Sequence, residues 1–257
     1  MKVVILAGGF GTRLSEEADF RPKPLVEIGG YPILWHIMKV YGAAGLTEFV
    51  ICGGYKASMI KRYFANYTLE ANDIEINLAS GEVRHLSNQA RENWTITIVD
   101  TGLETMTGGR VKRIAPLIGN HSFCLTYGDG VADLDIRKVI AFHNSHGRLA
   151  TITTVPSPGR FGILDIAAGE VVTRFHEKPD GEMGWINAGF FVLNPGVMDY
   201  VKGDDTVWER EALGRLAHDG QLMAYRHRGF WKPMDTLRDK RELEMLWASG
   251  KPPWKSW

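Results

Sequence analysis

The sequence predicts an α/β fold in which a parallel sheet carries helices on its faces. The chain begins with an apolar run at residues 3–6 that passes directly into a glycine-rich turn. Apolar residues at strand spacing and at helical spacing then alternate through residue 67. Strands that alternate with helices in this way form parallel sheets with helices packed on them. No repeat, low-complexity segment or linker divides the 257 residues, so we expect a single domain over 1–257.

The remaining elements follow from the spacing of the apolar residues. A helix is predicted to begin at Pro32, because proline is tolerated in the first turn of a helix, and to end at the glycines of 42–45. The polar stretch 80–93 lacks periodicity, and we expect a loop that serves as a lid or as an arm between subunits. The other predicted elements are strands at 46–52, 73–79, 94–99, 123–127, 149–155, 162–166, 171–175, 185–193 and 222–225, and helices at 57–67, from 107, up to 146, at 206–218 and up to 246.

The glycine-rich turn after the first strand is a candidate phosphate site. Gly8, Gly9 and Gly11 follow the strand without a spacer. Because glycine lacks a Cβ, such a turn brings backbone N–H groups close to a phosphate, and Arg13 adds a planar cation. The spacing has neither the Gly-Lys-Ser/Thr ending of a P-loop nor the Gly-x-Gly-x-x-Gly order of a dinucleotide fold. On the glycines alone, a phosphate loop and an ordinary strand-to-helix turn are equally favoured.

Lys23 lies between two prolines in the segment 21–26. Each proline removes a backbone donor and pushes the residue before it towards extended geometry, so we expect this segment not to be helical. Lys23 is then held on a stiff segment close to the glycine turn. A surface lysine in a proline-rich connection is the alternative.

Two aspartates are candidate metal ligands. Asp129 follows an apolar strand and is flanked by Gly128 and Gly130, at the strand end where open α/β sheets bind ligands. Mg²⁺ is held by one or two carboxylates together with substrate phosphates. Asp235 is the second candidate. The alternatives are a simple turn residue at Asp129 and a helix N-cap at Asp235.

Two further regions carry polar groups suited to a nucleotide or a sugar. The turn 106–110 places glycines before a helix, which indicates either an anion or base site at the helix N-terminus or a cap made by Thr107. Glu177 and Lys178 stand side by side before a proline. An acid and a base in this arrangement more often form a surface ion pair than a binding site. Asn187 is the strong hydrogen-bonding side chain of an apolar strand, and a sugar hydroxyl would satisfy it.

Charge and cysteine content limit the function classes. Lys plus Arg and Asp plus Glu both number 30, and this zero net charge argues against general binding to nucleic acid or to a membrane surface. Cys52 and Cys124 lie in apolar strand-like runs, which favours core packing over a disulfide. No run reaches the roughly 18 apolar residues of a membrane span, and the chain starts with a strand, so we expect a soluble protein of the cytoplasm.

Taken together, the motifs resemble those of the sugar-nucleotide pyrophosphorylases, a family of nucleotidylyltransferases. The matching segments are Leu-Ala-Gly-Gly-Phe-Gly-Thr-Arg-Leu at 6–14, Pro-Lys-Pro-Leu at 22–25, Gly-Asp-Gly at 128–130, Glu-Lys-Pro at 177–179 and Asn-Ala-Gly-Phe at 187–190. The resemblance covers nearly the whole chain, and its first two segments are the most specific. It implies a Rossmann-like fold of the nucleotide-diphospho-sugar transferase type, with a mostly parallel, mixed central sheet and helices on both faces. Residues 1–130 are then mainly nucleotide-binding, and residues 131–257 mainly bind the sugar phosphate and carry the C-terminal helix and tail.

The resemblance also implies roles for individual residues. Arg13 and Lys23 are the expected catalytic residues, and Asp129 and Asp235 are expected to hold Mg²⁺. The sugar phosphate is expected to meet Lys178, with Glu177, Asn187 and Gly189 towards its hydroxyls. The expected nucleotide-binding residues are Leu6, Ala7, Gly8, Gly9, Gly11, Thr12, Arg13, Lys23, Thr107, Gly108, Arg110 and Gly128.

Three more segments, at 106–110, 127–133 and 230–236, resemble the family members that use CTP and glucose 1-phosphate. Many thymidylyl and uridylyl relatives carry a Pro-x-Gly-x-Ala-type segment where this chain has the turn 107–110, which weighs against those nucleotides. The implied reaction is attack by the sugar-phosphate oxygen on the α-phosphorus of CTP, with release of pyrophosphate. The resemblance further implies a homo-oligomer, with a hexamer as the suggested size, and neither nucleic acid nor membrane as a partner.

Two alternatives to this reaction stay open. The first is transfer from another nucleoside triphosphate or onto another hexose 1-phosphate. The second is a regulatory protein that binds sugar nucleotides without catalysis. The presence of Arg13, Lys23, Asp129 and Asp235 together counts against the second alternative.

Overall fold

One seven-stranded sheet forms the centre of the molecule. The computed structural model describes residues 1–11, 20–87, 92–157, 163–166, 172–176 and 184–257. The strands of the sheet are β1 (Val3–Ala7), β4 (Glu48–Gly53), β7 (Thr95–Asp100), β8 (Phe123–Tyr127), β10 (Ala150–Pro156), β13 (Trp185–Leu193) and β14 (Leu222–Arg226). Their order across the sheet is β14-β10-β13-β8-β1-β4-β7, so that both halves of the chain contribute.

The sheet is mostly parallel, as predicted. β13 runs antiparallel to its two neighbours, β10 and β8. The other neighbouring strands of the sheet pair in parallel. Six strands therefore direct their carboxyl ends to one edge of the sheet, and β13 directs its amino end there.

Helices cover both faces of the sheet because the central strands are apolar on both sides. In β1, Val3 and Ile5 belong to one buried cluster, and Val4 and Leu6 belong to the other. The first cluster is covered by α1 (Ile33–Ala43), α2 (Ala57–Ala71), α5 (Ile136–His146) and α7 (Leu237–Ala248). The second is covered by α3 (Thr107–Arg113), α4 (Ala115–Ile118), a 3-10 helix (Pro195–Tyr200), a π-helix (Trp208–Ala212) and α6 (Leu213–His218). Strands buried on both faces are typical of parallel sheets in α/β proteins.

Short strand pairs lie outside the main sheet. They are β2 (Glu27–Ile28) with β3 (Tyr31–Pro32), β5 (Ile74–Ile76) with β6 (Val83–His85), β9 (Gly130–Ala132) with β15 (Trp231–Pro233), and β11 (Ile163–Ile166) with β12 (Val172–His176). The predicted loop over 80–93 is therefore wrong at 83–85, where backbone pairing to β5 supplies order that hydrophobic periodicity did not show.

Two other local predictions also need correction. The segment around Lys23 is not wholly extended, because Lys23–Leu25 forms one 3-10 turn, with the Leu25 N–H donating to the Pro22 carbonyl at 2.8 Å. Pro24 is tolerated there because it stands at the start of the turn. The predicted helix over 206–218 begins two residues later, as the π-helix that continues into α6.

The C-terminal tail packs on the body of the molecule. Trp254 is fully buried, and its indole N–H donates to Nδ1 of His36 at 3.3 Å. Burial lowers the pKa of His36 to about 4, so this imidazole is neutral near pH 7. Cys52 and Cys124 are buried free cysteines, as expected. Among the helices of the described residues, none combines the length and apolar character that crossing a membrane requires.

Candidate active site

A cavity of about 690 Å³ opens at the edge of the sheet where the parallel strands end. β1 and β8 are neighbours in register, with Leu6 opposite Tyr127, so the loops that follow them leave the sheet side by side. β13 is reversed and brings Asn187, near its amino end, to the same edge. Open α/β sheets bind ligands at this edge.

Most of the predicted site residues that the structure describes line this cavity. They are Leu6, Ala7, Gly8, Gly9, Gly11, Lys23, Thr107, Arg110, Gly128, Asp129, Asn187, Gly189 and Asp235. Gly108 does not line it. Thr12, Arg13, Glu177 and Lys178 lie outside the described residues.

Lys23, Asp129 and Asp235 form what we call the charged cluster. The Lys23 ammonium donates to Asp129 Oδ2 at 2.6 Å and to Asp235 Oδ1 at 2.8 Å. Lys23 is only 9% exposed, so the alternative of a surface lysine is wrong. A buried lysine is stabilised when it is paired and hydrogen-bonded, and two carboxylates at one ammonium leave a net negative charge.

A two-stranded ribbon brings the two aspartates together. β9 follows Asp129, and β15 precedes Asp235, and the two strands pair antiparallel. The Met234 N–H also donates to the Asp129 carbonyl at 2.8 Å. The N-cap of α7 is Thr236, which forms a capping box with Asp239, so the alternative of an N-cap at Asp235 is wrong.

The charged cluster fits a divalent cation that is shared with a phosphate. Among the described residues, no group of three or more His, Cys, Asp or Glu side chains is arranged to hold a metal ion by itself. Two carboxylates alone suit a hard cation that keeps water and takes substrate oxygens as further ligands. Asp129 and Asp235 supply that pair at the cavity wall.

Two glycines of the glycine-rich turn, Gly8 and Gly9, have different roles. The Gly8 carbonyl accepts from the Tyr55 N–H and from Arg110 Nη2, both at 3.2 Å. A Cβ at Gly8 would lie 2.2 Å from Arg110 Nη1, so glycine is required there by protein packing. A Cβ at Gly9 would meet no atom within 4 Å, which leaves open space at the cavity wall.

Arg110 joins the loops that follow three parallel strands. Its side chain is buried, and burial lowers the pKa of the guanidinium, which stays charged at pH 7. The guanidinium donates to five oxygen atoms of the protein at 2.7–3.2 Å, so its donors hold loops in place. The acceptors are the carbonyls of Gly53, Gly102, Gly8 and Leu103 and the hydroxyl of Thr101. Contact between Arg110 and a nucleotide stays a prediction.

Backbone contacts within the protein occupy part of the helix N-terminus in the turn 106–110. The N–H groups of Met106 and Gly108 donate to the carbonyls of Asp204 and Thr206 at 2.8 and 2.9 Å. A Cβ at Gly108 would lie 2.7 Å from the Thr206 carbonyl, so this glycine allows close packing of two backbone segments. Binding of an anion or of the edge of a base at this N-terminus stays a prediction.

Thr107 does not cap α3. The N-cap of α3 is Met106, and no side chain caps the helix there. The Thr107 hydroxyl instead accepts from the Trp208 N–H at 2.9 Å and donates to Glu209 Oε2 at 2.7 Å. Thr107 thus connects the turn to the start of the π-helix.

Asn187, Tyr127, Glu209 and Thr107 form what we call the neutral-donor network, in which Tyr127 and Thr107 donate to one carboxylate and Asn187 donates to Tyr127. Asn187 Nδ2 donates to the Tyr127 hydroxyl at 3.3 Å, and that hydroxyl donates to Glu209 Oε1 at 2.5 Å. Asn187 Oδ1 accepts from the Gly189 N–H at 2.8 Å. Protein groups therefore satisfy part of the hydrogen-bonding capacity of Asn187 for which the sequence analysis expected a sugar hydroxyl. Sequence reasoning missed Tyr127 and Glu209, although Tyr127 directly precedes the Gly-Asp-Gly segment.

Comparison with known proteins identifies the family. A family model described as nucleotidyl transferase matches residues 2–233. The chain belongs to the nucleotidyl transferase family. This result agrees with the resemblance drawn from the motifs of the glycine turn and the Pro-Lys-Pro segment.

Three curated relatives illustrate the range of this family. Glucose-1-phosphate cytidylyltransferase of Salmonella typhimurium is 57% identical over 260 residues, which cover 100% of both chains. The probable glucose-1-phosphate cytidylyltransferase of Bacillus subtilis is 44% identical, again over 100% of both chains. Mannose-1-phosphate guanyltransferase of Neurospora crassa is 31% identical over 93% of this chain and 62% of its own length.

Solved structures of the family share the fold. UDP-glucose pyrophosphorylase of Acinetobacter baumannii superposes with a TM-score of 0.72 at 19% identity, covering 98% of this chain and 95% of that one. HddC of Yersinia pseudotuberculosis gives a TM-score of 0.69 at 24% identity, covering 96% and 99%. The predicted α/β fold of the nucleotide-diphospho-sugar transferase type is confirmed.

Proposed function

We propose that this protein transfers the cytidylyl group of CTP to glucose 1-phosphate, forming CDP-glucose and pyrophosphate. The charged cluster carries the proposal, because an ammonium and two carboxylates meet at one point of the cavity, and these groups suit a phosphate bound together with a divalent metal. Two relatives match over the full length of both chains. One is named glucose-1-phosphate cytidylyltransferase, and the other is named a probable glucose-1-phosphate cytidylyltransferase. They favour CTP and glucose 1-phosphate over the other substrate pairs.

The reaction needs positioning and charge neutralisation rather than a general base. An oxygen of the sugar phosphate, already anionic, attacks the α-phosphorus and forms the new P–O bond. The bond from that phosphorus to the bridging oxygen breaks in line, and its electron pair leaves with pyrophosphate. Lys23 neutralises the charge that develops on the α-phosphate. Arg13, which is not among the described residues, is proposed to help neutralise the same charge.

The other assignments follow from the position of each residue at the cavity. Backbone groups of the glycine turn receive the triphosphate, where Gly9 leaves room for it. Asp129 and Asp235 would hold Mg²⁺, which supplies further neutralisation of the phosphates when it is bound. Asn187 and Gly189, together with Glu177 and Lys178, receive the sugar phosphate.

We also propose that the protein is a homo-oligomer, with six subunits as the expected size, and that the β5–β6 hairpin is an arm between subunits. Leu78 in the turn of this hairpin is 92% exposed, and Ile76 and Leu86 are exposed as well. A two-stranded hairpin is marginally stable alone, and exposed apolar groups on it favour a partner. Light scattering on the full chain should report an oligomer, and a variant with Leu78→Ser and Leu86→Ser should be smaller; a monomeric parent protein would refute the proposal.

Pyrophosphate release tests the reaction directly. We expect the fastest release from CTP with glucose 1-phosphate when the four nucleoside triphosphates and several hexose 1-phosphates are compared in the presence of Mg²⁺. Faster release from another pair would replace the proposed substrates. No release from any pair would favour a protein that binds sugar nucleotides without catalysis.

A further inference from the structure

We propose that Glu209 is a hydroxyl-binding residue of this site, whose carboxylate accepts hydrogen bonds from neighbouring hydroxyls of a substrate sugar. Tyr127 and Thr107 are positioning residues that fix the carboxylate. The inference rests on the proposed function, because both substrates carry such hydroxyls: the ribose of the nucleotide and the ring of the hexose phosphate. The shared chemistry is a pair of hydroxyl donors on adjacent carbons.

Glu209 has acceptor sites left over for a ligand. Its side chain is exposed and lines the cavity. Each of its two oxygens accepts one described hydrogen bond, from Tyr127 on one side and from Thr107 on the other. An ionised carboxylate offers about four acceptor positions, so one position on each oxygen can receive a hydroxyl.

The direction of the hydrogen bonds makes Glu209 selective for donors. The Tyr127 hydroxyl accepts from Asn187 Nδ2 at 3.3 Å and donates its own proton to Glu209 Oε1 at 2.5 Å. Thr107 accepts from the Trp208 N–H and therefore directs its own proton to Glu209. A ligand that approaches this carboxylate has to bring protons of its own, as hydroxyls do and phosphates do not.

The carboxylate is also held rigidly. A Cβ at Gly189 would lie 2.5 Å from the Tyr127 ring, so the glycine makes room for the ring in one position. The edge of this ring packs on Phe191, with ring centres 6.0 Å apart. Trp208, which precedes Glu209 in the π-helix, is fully buried. Acceptor atoms that are fixed before the ligand arrives lose little conformational entropy when the ligand binds.

The test compares each ligand with its deoxy analogue, using calorimetry on the full chain. For the parent ligand, Glu209→Gln should weaken binding about 10-fold, since hydrogen bonds to charged groups are worth more than neutral ones. For an analogue that lacks one of the two contacting hydroxyls, the difference in affinity between the variant and the parent protein should become smaller. The ligands are CTP with 2′-deoxy-CTP and 3′-deoxy-CTP, and glucose 1-phosphate with its 2-deoxy, 3-deoxy and 4-deoxy forms, and the analogues that reduce the difference identify the sugar.

Two further variants separate a binding role from a structural one. Glu70→Gln changes an exposed glutamate on α2 that does not line the cavity, and it should leave every affinity unchanged. Tyr127→Phe keeps the ring and removes the hydroxyl, so it should weaken the same parent ligand by roughly 3-fold without moving the midpoint of urea unfolding. If Glu209→Gln does not fold, Tyr127→Phe gives the same comparison between parent and deoxy ligands.

Specific outcomes overturn the inference. If Glu209→Gln weakens parent and deoxy ligands equally, or weakens neither, Glu209 does not bind a hydroxyl. In both cases the proposed function survives, because the parent protein still binds CTP and glucose 1-phosphate. A parent protein that binds neither ligand refutes the proposed function and the inference together.

Discussion

The charged cluster and the neutral-donor network lie in one cavity and differ in what they can receive. In the charged cluster, one ammonium is shared by Asp129 and Asp235, from positions 106 and 212 residues away. In the network, uncharged donors converge on the single carboxylate of Glu209. The first arrangement suits phosphates and a metal ion, and the second suits hydroxyls. The comparison shows that one cavity presents a charged surface and a separate surface of hydrogen-bonding groups around one carboxylate.

The largest effect is expected from Asp129→Asn, because it removes one of the two carboxylates of the charged cluster and leaves the network intact. Activity with Mg²⁺ should fall at least about 10³-fold, since one of only two protein ligands loses its charge. Calorimetric titration with Mg²⁺ in the presence of CTP should show weaker metal binding as well. Near-normal activity would remove Asp129 from the metal site.

Lys23→Ala should separate binding from turnover. We expect kcat to fall roughly 10²- to 10³-fold while the Kd for CTP rises less than 10-fold, because the ammonium acts mainly on charge that develops in the transition state. Single-turnover kinetics and calorimetry give the two quantities. Lys61→Ala, at an exposed position on α2, is the matched control. Equal losses in both quantities would contradict the assignment to the transition state.

Arg110→Met tests the frame that holds the glycine turn beside the charged cluster. The substitution keeps much of the side-chain volume and removes five hydrogen bonds, although the carbonyls of Gly8 and Gly53 keep the N–H groups of Tyr55 and Thr101 as donors. Destabilisation of about 2–4 kcal/mol is expected from buried polar groups left unpaired. Urea unfolding measures it, and Arg113→Met, which removes an exposed ion pair with Asp204, should leave the free energy of unfolding nearly unchanged. Equal costs would show that the buried contacts of Arg110 contribute little.

Thr107→Val should have the smallest effect, because it removes one donor from Glu209 and leaves Tyr127 in place. We expect roughly a 3-fold rise in the KM for the substrate whose hydroxyl contacts Glu209, with kcat nearly unchanged. Thr107→Ser keeps the hydroxyl and should restore the KM. A fall in kcat alone, without a change in KM, would separate Thr107 from ligand binding.

The charged cluster could be predicted from sequence because two of its three members stand beside glycines or prolines that mark unusual backbone. Asp129 lies between two glycines, and Lys23 lies between two prolines. The fold could be predicted for a similar reason, since strands buried on both faces are apolar throughout. Each of these signals is local, so it is visible before the strands are arranged in space.

The neutral-donor network could not be predicted because no local pattern marks Glu209. It stands in a charged segment, Trp-Glu-Arg-Glu, and such a segment is typical of a helix face that is exposed to solvent. Its contacts to Tyr127 and Thr107 span 82 and 102 residues and depend on the order of strands in the sheet. The packing role of Gly108 could not be predicted for a related reason, because Gly108 packs against Thr206, which lies 98 positions later in the sequence.

The fit between Gly189 and the Tyr127 ring sets a rule for how this site can change through evolution. Gly189 has a φ of +82°, and any side chain there would both strain the backbone and strike the ring. A substitution at position 189 would therefore stay unfavourable even if the ring at 127 were replaced by something smaller, because the backbone strain remains. We expect position 127 to vary more freely among family members than position 189, which should stay glycine.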